Sequence, residues 1–368
     1  MRKFFTLIIL VFLQNALYAQ LTEPPNGGNK KAMVGERIGI TDITIHYDRP
    51  GVKGREGKIF GGVVGYGYND LGFGTSKAAP WRAGANENTT IEFSDDVKVE
   101  GQSLPAGKYA FFIAVDPNEC TLIFSKNNSS WGSFFYDPKE DVLRVKVKPV
   151  MQDKSTEWLT YQFENETANS ADIALVWEKW KISFKVEVDF INTQLASFRR
   201  ELRSDKGFTW NSWAQAAQFC ADNNVNLEEG LQWADYAISG QFVGEKNFQT
   251  LSTKADVLNK LNRGAEADAI MKEALPLGNM NQIHGYARQL LAQKKKKEAF
   301  DVFKMNYDKY PNTFTTNMGM ARANSAIGNY KEALKFAQAA LLQAPDPGNK
   351  TNVETIIEKL KAGKDINQ

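Results

Sequence analysis

A chain of 368 residues, 42% hydrophobic and 24% charged, has the composition of a folded globular protein long enough for two domains. Its 45 basic and 43 acidic side chains leave a formal net charge of +2, so it carries no broad positive field of the kind that draws nucleic acid or an anionic membrane surface. His46 and His284 are its only histidines, which rules out a His-rich metal cage or an HExxH helix, and no metal or cofactor is expected.

The first segment, MRKFFTLIILVFLQNALYAQ, sets Arg2 and Lys3 before an apolar run from Phe4 to Leu13 and then small and polar residues up to Ala19. That order predicts a secretory signal peptide over residues 1–19, too short to span a bilayer of roughly 30 Å. A linker over 20–30 then leads into a protein expected to be periplasmic or secreted. Cys120 and Cys220 fall in different predicted domains, and nothing in their spacing requires a bridge, so two buried free thiols are expected.

From about 31 to 190 the apolar residues recur with period two. Ile43, Ile45 and Tyr47 alternate with Thr44 and His46; Leu143, Val145 and Val147 alternate with Arg144, Lys146 and Lys148; Trp180, Ile182, Phe184, Val186 and Val188 do the same. Turn-forming stretches at 100–102, 105–107, 116–118 and 127–129 separate the runs, predicting short strands in an antiparallel β-sandwich or barrel.

Three loops of this domain attract attention. HYDRPGVKGREGKIFGG (46–62) holds Arg49, Lys53 and Arg55 among glycines, either a cradle for a carboxylate or phosphate or a solvated basic turn paired locally with Asp48 and Glu56. GYGYNDLGFG (65–74) alternates aromatics with glycines; Tyr66, Tyr68 and Phe73 either pin the loop to the core or stack on a ligand, and Asp70 lies between them. PWRAGANENTTIEFS (80–94) gathers Trp81, Arg82, Asn86 and Glu87 around Gly84 at a strand entrance. Arg82 and Glu87 could pair with each other; Arg82 could instead bind a substrate carboxylate beside Glu87 as general base; or the polar groups hydrogen-bond the loop backbone. Trp81 reads as a core anchor that also borders the site, Trp131 as packing over one end of the sandwich, and His46 as solvated.

RPGVKGR at 49–55, WRAGANENT at 81–89 and LPAGKY at 104–109, in that order, closely resemble a bacterial family catalogued as domain of unknown function 2911. The resemblance spans roughly 31–190. It implies a secreted β domain, often followed by helical repeats, and assigns no reaction.

Beyond about 190 the apolar period becomes helical, with Ile191, Leu195, Phe198 and Leu202 first in line. Glu-Ala recurs at 266–267, 298–299 and 332–333, with Glu229-Gly230 before them. Seven residues after each second member stand Ala237, Ala274, Asn306 and Ala340, and Pro311 and Pro345 close the last two units. Small residues let paired helices approach and a proline ends the second helix, so residues 191–368 resemble a tetratricopeptide-like repeat array. Asn317 departs from the pattern, standing where the first helix usually carries Trp, and Asn306 replaces a small residue. The lysine run 294–297 is placed at a junction between two repeat helices.

The chain as a whole reads as an exported, non-catalytic scaffold. Its β domain would hold a small polar ligand or glycan, or a small anion, through Arg49, Lys53, Arg55, Trp81, Arg82, Asn86 and Glu87, and its repeats would dock a protein. The alternative is an envelope hydrolase acting through Glu87 and Asp70, with Arg82 and Arg49 orienting an anionic substrate.

Overall fold

The computed structural model describes residues 28–367. The expected signal peptide lies outside them, as does most of the linker; Lys30 already opens the first strand. Two compact units divide between Ala196 and Ser197.

Among the described residues the first unit holds ten strands: β1 (Lys30–Ile38), β2 (Thr41–Arg49), β3 (Thr90–Phe93), β4 (Val97–Val99), β5 (Gln102–Leu104), β6 (Gly107–Ala114), β7 (Cys120–Ser125), β8 (Asp141–Val147), β9 (Val150–Glu164) and β10 (Ser170–Val188). They form a six-stranded sheet, β1-β2-β3-β6-β7-β8, and a four-stranded sheet, β5-β4-β10-β9, antiparallel throughout. One core joins them. Ile43, Ile45 and Ile91 of β2 and β3 enclose it together with Phe111, Phe124, Trp177 and Phe184 from β6, β7 and β10. The alternation that predicts this sandwich is physical: in a pleated strand successive side chains leave opposite faces, and burying each large apolar one contributes roughly 1.5–3 kcal/mol. Glu100 and Gly101 adopt positive φ between β4 and β5, as a tight hairpin demands.

The last strand, 19 residues long, overruns the expected short-strand pattern. It survives that length by bulging around Glu178, whose φ is +52° and whose carboxylate accepts the Gly57 N–H at 2.8 Å.

Ten helices follow among the described residues: α1 (Phe190–Glu201), α2 (Trp210–Asn223), α3 (Leu227–Ser239), α4 (Phe248–Lys260), α5 (Gly264–Ala274), α6 (Met280–Ala292), α7 (Lys296–Lys309), α8 (Phe314–Ala326), α9 (Tyr330–Leu341) and α10 (Pro347–Lys361). From α2 to α9 they pack as successive hairpins in a tetratricopeptide-like array. Gly230, Ala267, Ala299 and Ala333 are all buried where the helices of a hairpin meet, as are Ala237, Ala274 and Ala340 seven residues on. Asn306, the exception in that series, is also buried and donates its Nδ2 to the Met280 carbonyl at 2.9 Å. Asn317 is held between Asn312 at 3.0 Å and Gln343 at 2.9 Å. Three first helices start alike, with reciprocal capping pairs Asn247/Thr250, Asn279/Gln282 and Thr313/Thr316. Lys294 and Lys295 occupy the turn between α6 and α7, and Lys296 opens α7.

Both cysteines are free and buried. Among the described residues no helix is long and apolar enough to cross a membrane.

Candidate functional site

The loop from Pro80 to Asn88 is fixed before it can present anything. Trp81 exchanges backbone hydrogen bonds with Ile113 of β6, stacks on Trp177 at 5.9 Å and donates its indole N–H to the Gly84 carbonyl at 3.1 Å. The Ala83 carbonyl accepts two buried hydroxyls, from Tyr161 at 2.8 Å and Thr89 at 3.1 Å. A Cβ at Gly84 would lie 2.6 Å from Thr89 Oγ1, so this turn requires glycine. Ala83 and Asn86 take positive φ of 50° and 56°, a conformation that costs a non-glycine residue roughly 1–2 kcal/mol and that Asn tolerates best. These contacts hold the loop so that consecutive residues, Asn86 and Glu87, line two different cavities.

The first cavity, of about 590 Å³, is bordered by Arg55, Asp70, Trp81, Arg82, Asn86 and Trp177. Arg82 lies with its guanidinium 5.0 Å from the Phe134 ring and donates to the Asn86 carbonyl. Among the described residues no carboxylate lies within 4 Å of it, and burial works against its charge, which a guanidinium nevertheless keeps. Arg55 also donates only to carbonyls, of Val52 at 2.9 Å and Gly51 at 2.8 Å. The wholly buried Trp177 Nε1 has no acceptor. Asp70 is engaged elsewhere: it accepts Gly72 N–H at 2.9 Å and faces Lys77 at 3.2 Å, and both hold its carboxyl below the usual range. Arg55, Arg82 and Trp177 thus bring to this cavity donors that no carboxylate meets among the described residues.

The second cavity, of about 380 Å³, is bordered by Lys31, His46, Asp48, Glu87, Asn88 and Lys108. Glu87 pairs here with Lys31 at 2.7 Å and not with Arg82. That bond, first among its influences, holds the Glu87 carboxyl low, while burial pushes Asp48 up.

The predicted residues thus separate. Arg55, Trp81, Arg82, Asn86 and Asp70 share one cavity, and Glu87 borders the other, so the geometry does not assemble a Glu87/Asp70 pair. Arg49 borders neither; it clamps β2 onto β9 through the Leu159 carbonyl and Thr160, both at 2.8 Å. Lys53 also borders neither, and only its backbone N–H is engaged, by Glu157 at 3.0 Å. Asp48 answers to Lys31 instead of the basic turn. His46 is exposed and also faces the Glu87 cavity.

One aromatic expectation needs correcting, and the loop aromatics divide between their two readings. Trp131 is 56% exposed and does not cover the sandwich end. Phe73, 65% exposed, packs only on Phe134 and Phe135, whereas Tyr66 does pin its loop, lying 6.4 Å from Trp180.

Sequence reasoning overlooked Lys31, Asp48 as a cavity residue, Asn88 and Trp177. Asp48 carries no signal in the sequence, where it continues the polar alternation of β2; only its burial directly after buried Tyr47 sets it apart. Trp177 sits in a run of core residues that conceals its indole N–H.

No curated protein matches the chain. Among solved structures, a crystal structure of YrrB, described as a TPR protein with an unusual peptide-binding site, matches at 16% identity with a TM-score of 0.31, covering 45% of this chain and 84% of its own. Residues 29–186, which include the Trp81–Asn88 loop, match the family model described as "Protein of unknown function (DUF2911)".

Proposed function

We propose that this protein is an exported binding scaffold: its β domain takes a small anionic ligand in the arginine-bordered cavity, and its helical array docks a protein. The array supports the second half, since stacked helical hairpins create extended surfaces suited to partners. The basic, apolar and small order of residues 1–19 supports export.

The observation that carries the ligand reading is this set of donors. Arg55 and Arg82 border one cavity, neither meets a carboxylate among the described residues, and the Trp177 N–H beside them lacks an acceptor. An incoming carboxylate or phosphate supplies the missing acceptors, and a guanidinium fork matches either in two parallel bonds. The cavity volume lies within the range for small-molecule sites, and the half-buried Trp81 offers a flat wall suited to a sugar ring. An acidic saccharide fits this chemistry best.

Calorimetric titration of the full chain with oligogalacturonate, inorganic phosphate and a neutral glucose oligomer tests it. Oligogalacturonate should bind, the neutral oligomer should not, and Arg82→Ala should weaken binding about a hundredfold, in line with losing a charge-assisted bidentate contact. Absence of binding by both anions, or binding unchanged in Arg82→Ala and Arg55→Ala together, sinks the proposal.

A further inference from the structure

The cavity on the Glu87 side presents unmet acceptors. Lys31 takes the outer oxygens of two carboxylates, Glu87 Oε1 at 2.7 Å and Asp48 Oδ2 at 3.9 Å. Their remaining oxygens, Glu87 Oε2 and Asp48 Oδ1, are buried without a well-formed hydrogen bond, although the Asp48 carboxyl lies within reach of Glu87 and of the Asn86 side chain. Asp48 is only 4% exposed. A third oxygen on the same cavity is equally bare: Asn88, 8% exposed, has an Oδ1 with no partner. Its amide orientation is fixed, because Nδ2 donates to the Asn127 carbonyl at 3.2 Å and a flip would set oxygen against oxygen.

Buried polar atoms in native proteins find partners, and an orphaned one calls for an explanation such as an ion. Three orphaned acceptors on one cavity call for one explanation. A proton shared between Asp48 and Glu87 would satisfy two of them and leave Asn88 unmet. Two carboxylates and an amide oxygen are hard donors; Lys31 offsets one of the two carboxylate charges, and Lys108 also borders the cavity.

We propose that Asp48 Oδ1, Glu87 Oε2 and Asn88 Oδ1 form a calcium site, completed by water from the open side of the cavity. Calcium is favoured over magnesium because it accepts irregular sets of six to eight oxygens, whereas magnesium demands near-ideal octahedral geometry. No cluster of three His, Cys, Asp or Glu occurs among the described residues, so the amide is essential to this site.

Calorimetry with calcium chloride on the full chain, stripped of divalent ions, tests the assignment. One saturable site is expected in the wild type, weakened at least about tenfold in Asp48→Asn and in Asn88→Leu. Glu87→Gln, at the more exposed position, supplies a third variant whose fold is least at risk. Arg82→Ala should bind calcium as the wild type does, which keeps this site's failure separate from that of the anion cavity. No calcium heat in the wild type would leave Asp48 and Glu87 as a proton-sharing pair and overturn the proposal; so would undiminished binding in all three variants.

Discussion

The two units of this chain treat their buried, unpaired polar atoms differently. In the β domain four of the seven among the described residues belong to side chains that border the two cavities of one loop, Trp177 on one side and Asp48, Glu87 and Asn88 on the other, while Thr41 Oγ1, Asp141 Oδ1 and Ser183 Oγ lie elsewhere. In the helical array, among the described residues, they are His284 Nδ1 and Asn306 Oδ1, each set among packed helices. An orphaned polar atom in a packed helical core is a cost the fold carries; several converging on open volume are an address for a ligand. The two regions should therefore respond to different perturbations, the array to conditions that change its own charge and the loop to what is added to solution.

The largest expected effect separates them by pH. Burial, and secondarily Arg322 and Arg288, push the His284 imidazole down to about 4 from its ordinary 6.5. The neutral form is the one the fold accepts, so the stabilisation is fully present above 6.5. As pH falls toward 4 the unfolded chain binds a proton that the folded chain refuses, and stability is lost. A shift of this size corresponds to roughly 3 kcal/mol. Urea unfolding at pH 7 and pH 4 should show that loss in the helical transition, and His284→Gln should remove most of it. A helical transition indifferent to pH across this window would mean that His284 is free to charge in the folded array, and the contrast between the units would fail.

The second effect belongs to the loop. Gly132 has a φ of +62°, and a Cβ there would lie 2.1 Å from Arg82 Cζ, a clash with a guanidinium already confined by Phe134 and the Asn86 carbonyl. Gly132→Ala should cost about 2 kcal/mol, from overpacking and the left-handed backbone together, and should impair anion binding while leaving calcium binding intact. If both binding sites fail together, the faces of the loop are not independent.

Much of the architecture is legible in the chain itself, since period two and period 3.6 follow directly from strand and helix geometry. Ile43, Ile45 and the residues from Trp180 to Val188 reveal their sheets, and Ala267, Ala299 and Ala333 reveal the hairpins. The long β10 is less legible because its bulge at Glu178 interrupts the alternation near Trp177 and Trp180. On the loop, Arg82 and Asn86 stand out by composition alone. The second cavity does not, because Lys31 and Asp48 become neighbours only through the antiparallel register of β1 on β2, where they sit directly opposite, and register is a property of the paired sheet. Nor can spacing show that Glu87 turns away from Arg82; that depends on the left-handed backbone of Asn86 between them.

That cross-strand lysine offers the smallest and most discriminating change. Lys31 is more than half exposed, so removing its bond to Glu87 should alter stability by less than about 1 kcal/mol. Its effect on ligands should be directional. In Lys31→Ala both carboxylates lose their only ion-pair partner among the described residues, the charge around their inner oxygens becomes more negative, and calcium should bind several-fold more tightly. Anion binding beside Arg82 should not change, because Lys31 does not border that cavity. Weaker calcium binding in Lys31→Ala would show that the lysine positions Glu87 more than it competes with the ion. Unchanged binding would place the ion elsewhere, since a cation held by these two carboxylates must sense a positive charge 2.7 Å from one of them.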